Sequence, residues 1–149
     1  REGKFLELKE RAVFLELNND KKAFRNFYEG VALAYLGEVE AAEPKLQQAV
    51  EEIQLHEGVY WNLIDYYAFI KKDRQVAFDL SVKVLGDFKY SVSLWKQYVY
   101  ISLFLNYDSF VKQGLEELQS LMTDEEYTAF EVEYEAMELE AEREFDNWQ

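Results

Sequence analysis

Residues 61–77 read WNLIDYYAFIKKDRQVA, and residues 95–111 read WKQYVYISLFLNYDSFV. Each stretch opens on a tryptophan, Trp61 and Trp95, and the two lie 34 residues apart. Sixteen positions after each tryptophan comes a small or branched apolar residue, Ala77 and Val111. An earlier segment keeps the rhythm with Gly30, Gly37, Ala42 and Ala49. A fixed period of this size is the signature of a helical repeat array. One helix pair cannot bury its apolar face alone and must stack on the next. The period therefore points to an all-α solenoid and makes binding the default function.

Composition agrees with that class. Of 149 residues, 49% are apolar and 17% aromatic, enough to build a core and to argue against disorder. A single proline and six glycines leave little material for turn-rich β architecture. Cysteine is absent, which rules out disulfides and thiolate metal sites and fits any compartment. No apolar run reaches the roughly 18 residues of a membrane span. The expected location is therefore soluble, with the cytoplasm favoured. Arg1 in place of methionine suggests a trimmed or excised chain. The net charge of −14 is uneven: from Thr123 to Gln149 there are 11 acidic residues and one arginine, a net of −10. Nucleic-acid backbones and anionic membranes both require clustered Lys/Arg, so neither is an expected partner.

Apolar spacing and stop signals divide the chain into helices joined by short loops. Residues 4–17 read as a first helix ended by Asn18-Asn19-Asp20. Residues 21–36 come next, with Gly37 as the stop, and then 39–55, in which Pro44 predicts a small kink or a late start. The next pair is 58–71 and 74–85, closed by Gly86-Asp87 with glycine expected in the left-handed cap. Ser91 caps 92–105, and Asn106-Tyr107 turns the chain into 108–121. Thr123-Asp124-Glu125-Glu126 matches a capping box that opens a long last helix, 124–147. Its apolar stripe is Tyr127, Phe130, Tyr134, Met137, Ala141, Phe145 and Trp148, and glutamates cover its other faces. The late carboxylates Glu142, Glu144 and Asp146 oppose the helix dipole and predict fraying.

These pairs resemble tetratricopeptide repeats, a family whose 34-residue pattern combines a large residue at position 4 with small ones at 8, 20 and 27. Gly30, Gly37, Ala42, Leu46 and Ala49 match the pattern in the first pair. Trp61 and Ala77 match it in the second, and Trp95, Val111 and Leu115 in the third. Small residues let two helices approach closely, and a large neighbour fills the space between pairs. Position 8 departs, being Asp65 and Val99 in the later copies, and position 4 of the first is Asn26. The stretch Trp95-Lys96-Gln97-Tyr98 is also similar to the half-a-TPR repeats of RNA-processing scaffolds. The reading is one helical-repeat domain over 1–149. It comprises a flanking helix (4–20), repeats at 21–56, 57–90 and 91–122, and an acidic capping helix (123–149) that ends a longer array.

The resemblance implies a concave groove lined by the first helix of each pair. Transferred by position, the lining is Phe24, Phe27, Val31, Ala34 and Tyr35; then Val59, Asn62, Tyr66, Phe69 and Ile70; then Ser93, Lys96, Tyr100, Leu103 and Phe104. Among these, Phe27, Tyr35, Asn62, Tyr66, Phe69, Lys96, Tyr100 and Phe104 are the expected partner contacts. Aromatic side chains bring large contact area at low entropic cost, as a docked peptide or helix requires. The bland alternative assigns these residues to the core. Trp61 and Trp95 are expected to pack between helices rather than touch a ligand.

Catalysis has little support. His56 is the sole histidine, so no triad or zinc site can be assembled. Glu38, Glu40 and Glu43 at a helix start are explained by the dipole, and the glycines form no phosphate loop. No cofactor or metal is expected. The leading function is a protein-interaction module for a basic or apolar peptide or helix. The alternatives are a scaffold whose groove is filled by its own terminal helices or by self-association, and a chaperone of this repeat type for secreted substrates. In the family, chaperone C-terminal carboxylates are held by Lys and Asn where this chain has Phe27 and Val31, and a clamp needs those donors in place. Acidic chaperone-tail peptides are therefore expected not to bind, and titration calorimetry showing micromolar affinity would refute this.

Overall fold

The computed structural model describes residues 22–53 and 56–147. Among these residues the fold is all-helical, with no strand. Seven α-helices run in chain order: α1 (Lys22–Tyr35), α2 (Val39–Glu52), α3 (Glu57–Asp65), α4 (Arg74–Asp87), α5 (Val92–Phe104), α6 (Asp108–Leu121) and α7 (Asp124–Asn147). Between α3 and α4 lies a π-helical turn, Tyr66–Ile70. The expected helix 4–17, its stop at Asn18-Asn19-Asp20, and Trp148 lie outside the described residues. By packing, the described residues fall into two compact units, divided between Asp73 and Arg74. The boundary falls between the two helices of the second expected repeat.

The helix ends arise from local chemistry. Gly37 takes φ +84, and Glu38 N–H donates back to the Leu33 carbonyl at 2.9 Å, so α1 stops where a residue free to adopt the left-handed region stands. The Ser91 hydroxyl accepts from Leu94 N–H at 3.2 Å and starts α5. The capping box is complete: Glu126 N–H donates to Thr123 Oγ1 at 3.2 Å, and Thr123 N–H donates to Glu126 Oε1 at 3.1 Å. His56 caps α3, its Nδ1 accepting from Val59 N–H at 3.4 Å.

Two expectations change. Gly86 is not in the left-handed region; it lies within α4, which continues to Asp87. Pro44 does not delay α2, which begins five residues earlier at Val39. α7 runs to Asn147, and Glu144 is tied to Arg74 by a forked ion pair, which offsets the unfavourable dipole at that end.

In the first unit α1 and α2 form a hairpin; α2 also packs against α3, and α1 against the π turn. Ala42, Leu46 and Ala49 are the buried face of α2. Ala49, Ile53 and Val59 form one cluster on which Phe24, Phe27 and Val50 rest. In the second unit α5 is the central helix, packed against α4, α6 and α7, and α6 also meets α7. Leu94, Val99, Ile101, Leu118 and Phe130 are essentially solvent-free there. Trp95 is buried, and its indole N–H donates to the Lys89 carbonyl at 2.7 Å.

Each hairpin closes over a glycine. A Cβ placed on Gly30 would sit 2.8 Å from Leu46 Cγ, and one on Gly114 would sit 2.5 Å from Val99 Cγ2. Val99 is β-branched and held to one rotamer in a helix, so it cannot step aside. Gly114→Ala should therefore cost about 1–3 kcal/mol from overpacking. The gain of about 1 kcal/mol that alanine brings to a helix interior offsets this only in part. At Gly86 an added Cβ meets nothing within 4 Å, so Gly86→Ala should be stabilising, by about 0.5 kcal/mol or more. Urea melts of the two variants should move in opposite directions; movement in the same direction would refute the packing account.

Candidate functional site

The expected contact residues fall into two sets, one in each unit. In the second unit, Lys96, Tyr100 and Phe104 recur at steps of four and so share one face of α5. α7 covers that face. The Tyr100 hydroxyl donates to Glu133 Oε2 at 3.2 Å, and its ring lies 6.1 Å from that of Phe130. Lys96 Nζ is 3.6 Å from Glu133 and 5.4 Å above the Phe130 ring centroid. Phe104 is 8% exposed; the Arg74 guanidinium stacks on its ring at 4.5 Å while forming the ion pair with Glu144 of α7. Burial, with the Glu133 carboxylate second, raises the Tyr100 phenol well above its ordinary value.

In the first unit, Phe27 is half-buried against the Ala49–Ile53–Val59 cluster. Tyr35 reaches across to α3, its hydroxyl donating to Asp65 Oδ2 at 3.0 Å. The Asn62 amide is turned onto its own helix, donating to the Gly58 carbonyl at 2.7 Å. Tyr66 is 1% exposed, and its hydroxyl is held at the Val39 carbonyl at 3.2 Å and at Glu43 at 3.3 Å. A side chain so enclosed has no surface to offer a partner. Phe69 is half-buried on the π turn. Tyr35 of α1 and Tyr100 of α5 thus each reach a later helix of their own unit, whereas Tyr66 packs back on α2.

Glu43 is the residue that sequence reasoning misses. A place near a helix start explains it as a dipole charge, yet its carboxylate gathers three donors from beyond its own helix, besides the Gln47 amide one turn on at 3.5 Å. They are Lys71 Nζ at 2.7 Å, the Tyr67 hydroxyl at 3.0 Å and the Tyr66 hydroxyl. The Gln47 amide adds a bond to the Tyr67 hydroxyl at 2.7 Å. Consecutive residues of an α-helix do not face the same way. The convergence of Tyr66 and Tyr67 on one carboxylate coincides with the π turn, where Lys71 N–H bonds to the Tyr66 carbonyl at 2.9 Å. Lys72 then ends the turn at φ 62. Glu43 was recognisable only as a carboxylate one helix away from two tyrosines and a lysine; nothing in its own spacing distinguishes it from Glu38 and Glu40.

The network shifts its own titrations. The Lys71 hydrogen bond leads in holding Glu43 below its ordinary value of 4.5, against the opposing effect of burial. The bond to Glu43 raises Lys71. Burial, then the Glu43 carboxylate, pushes Tyr66 up to about 12.

No protein-family model matches the chain, and none of the curated proteins or solved structures does. Among the described residues no helix is long and apolar enough to cross a membrane. Among them, too, no group of three or more His, Cys, Asp or Glu side chains is placed to hold a metal ion.

A carboxylate with a depressed folded pKa stabilises the fold above its unfolded value, and that stability is lost as pH falls through the folded value. Glu43→Gln should therefore flatten the acid limb of stability below about pH 4.5. For Tyr66 the sign is reversed. Its raised pKa supplies stability below 10 that is lost as pH rises toward about 12, and removing the carboxylate should lower the Tyr66 titration. Thermal melts across pH and tyrosinate absorbance test both limbs; identical profiles in wild type and variant would refute the network.

Proposed function

We propose that this chain is a helical-repeat interaction module of the tetratricopeptide type, whose first-helix faces accept an amphipathic helix. The observation that carries the reading is that this face receives a helical segment within each unit: α3 and its π turn on α1, and α7 on α5. A face already shaped to take one helix is suited to take another of similar chemistry, by the helix-in-groove mode of recognition. Tyr66 and Phe104 are support rather than contact, because both are buried. Asn62 and Phe69, half-buried on α3 and its π turn, are the expected contacts that we assign to a partner.

A second reading is favoured by one specific observation. Lys96, Tyr100 and Phe104 are engaged by α7 or by its Arg74 anchor, which is what a self-filled scaffold requires. In that reading α7 occupies the face permanently, and the chain serves to join other elements.

Affinity selection of a displayed peptide library on the intact chain separates the two readings. The interaction module predicts enrichment of helical, apolar or basic peptides. Phe69→Ala with Asn62→Ala should weaken the selected peptides by about tenfold, the loss of one strong contact, with the melting curve little changed. Enriched peptides that bind the double variant as well as wild type, or no enrichment at all, would refute the proposal in favour of the self-filled scaffold.

A further inference from the structure

We propose that the outward face of α7 docks a basic amphipathic helix of a partner protein. α7 carries two apolar stripes. One is turned inward, with Phe130 and Ala141 only 1% and 4% exposed. The other consists of Ala129, Val132, Ala136 and Leu139, at steps of three, four and three, and all four are exposed. Val132 is 69% and Leu139 54% exposed. Steps of three and four keep these residues on one line of the helix, in the spacing of a two-helix seam. The alanines between the larger side chains let a second helix axis come close. This stripe lies on the opposite side of α7 from the one that meets α5, so α5 does not cover it.

Charge selects the occupant. The seam runs between acidic ridges, Glu131, Glu135 and Glu142 on one side and Glu140 on the other, all exposed. Residues 123–149 carry a net charge of −10, with Arg143 as their one cation. A second copy would bring two such ridges together, and like charges beside a seam oppose pairing. A helix with Leu, Ile or Val along its seam and Lys or Arg on both flanks would bury Val132 and Leu139 and pair the ridges. The field of the acidic helix would also speed its approach.

The probe is a synthetic helix of about three heptads, leucine at the seam positions and lysine on the flanks, titrated calorimetrically into the intact chain. A matched peptide with glutamate on the flanks is the control. Expected are a Kd of about micromolar order for the lysine peptide, weakening with salt, and no binding of the control. Val132→Ser with Leu139→Ser leaves the charge unchanged and replaces exposed side chains, so the fold should survive. This variant should weaken the lysine peptide by about tenfold. Phe69→Ala with Asn62→Ala should leave it unchanged, which keeps this result independent of the proposed groove. Equal affinity for wild type and the serine variant would reduce the attraction to charge alone and overturn the proposal. So would binding of the glutamate control, or a concentration-dependent dimer of the chain that the serine variant abolishes.

Discussion

Neither helix hairpin has room for one more carbon at its crossing. In the first unit the backbone at Gly30 lies under Leu46, and in the second Gly114 lies under Val99 and Tyr98. Everything else about the hairpins depends on this spacing. With the axes drawn together, Ala42 and Ala49 become fully enclosed in one unit, and Leu118 and Ile101 in the other. Interiors packed at this density gain from many small dispersion contacts, and those contacts vanish quickly with separation. A hairpin held apart by a methyl group would keep its helices and lose much of the reason for them to adhere.

Polar contacts then fix what apolar packing leaves free. Hydrophobic burial is non-directional, so it does not by itself determine which turn of one helix faces which turn of the next. Glu43 does so in the first unit by collecting Lys71, Tyr67 and Tyr66 from the end of α3 and its π turn. Arg74 does so in the second, stacked on Phe104 and forked onto Glu144. Exposed ion pairs such as Lys96–Glu133 contribute only about 0–1 kcal/mol. Their role in this fold is registration, while the stability comes from the glycine-spaced cores.

The helices were legible in the sequence because their ends carry local chemistry. Gly37, Ser91 and the Thr123–Glu126 box each satisfy orphan backbone groups by contacts within a few residues, and these are visible in a linear reading. The errors share a cause. Gly86 permits a left-handed cap without requiring one, and a proline near a helix start does not say where the start is. The π turn changes the residue count of a helix by one without changing its composition, so periodicity passes over it. The contact face was the least legible. Spacing places Lys96, Tyr100 and Phe104 on one side of α5, but what lies against that side depends on α7, whose Glu133 stands 33 residues on from Tyr100. Tyrosines in a groove and tyrosines under a helix have the same periodicity; only tertiary contact distinguishes them.

α7 shows why that distinction matters. A helix that only terminated a repeat stack would need one apolar stripe to adhere and a polar remainder to stay soluble. α7 meets the first condition through Phe130 and Ala141 and violates the second at Val132 and Leu139. The glutamates around those two side chains would keep the helix soluble with any polar residue in their place. Isolated exposed apolar residues are ordinary on protein surfaces and carry no message. Val132 and Leu139 differ in being seven residues apart, with alanines set between them at Ala136 and before them at Ala129. That is the arrangement by which one helix presents a narrow seam to another, and on this helix the surrounding charge leaves a cationic partner as the one that fits.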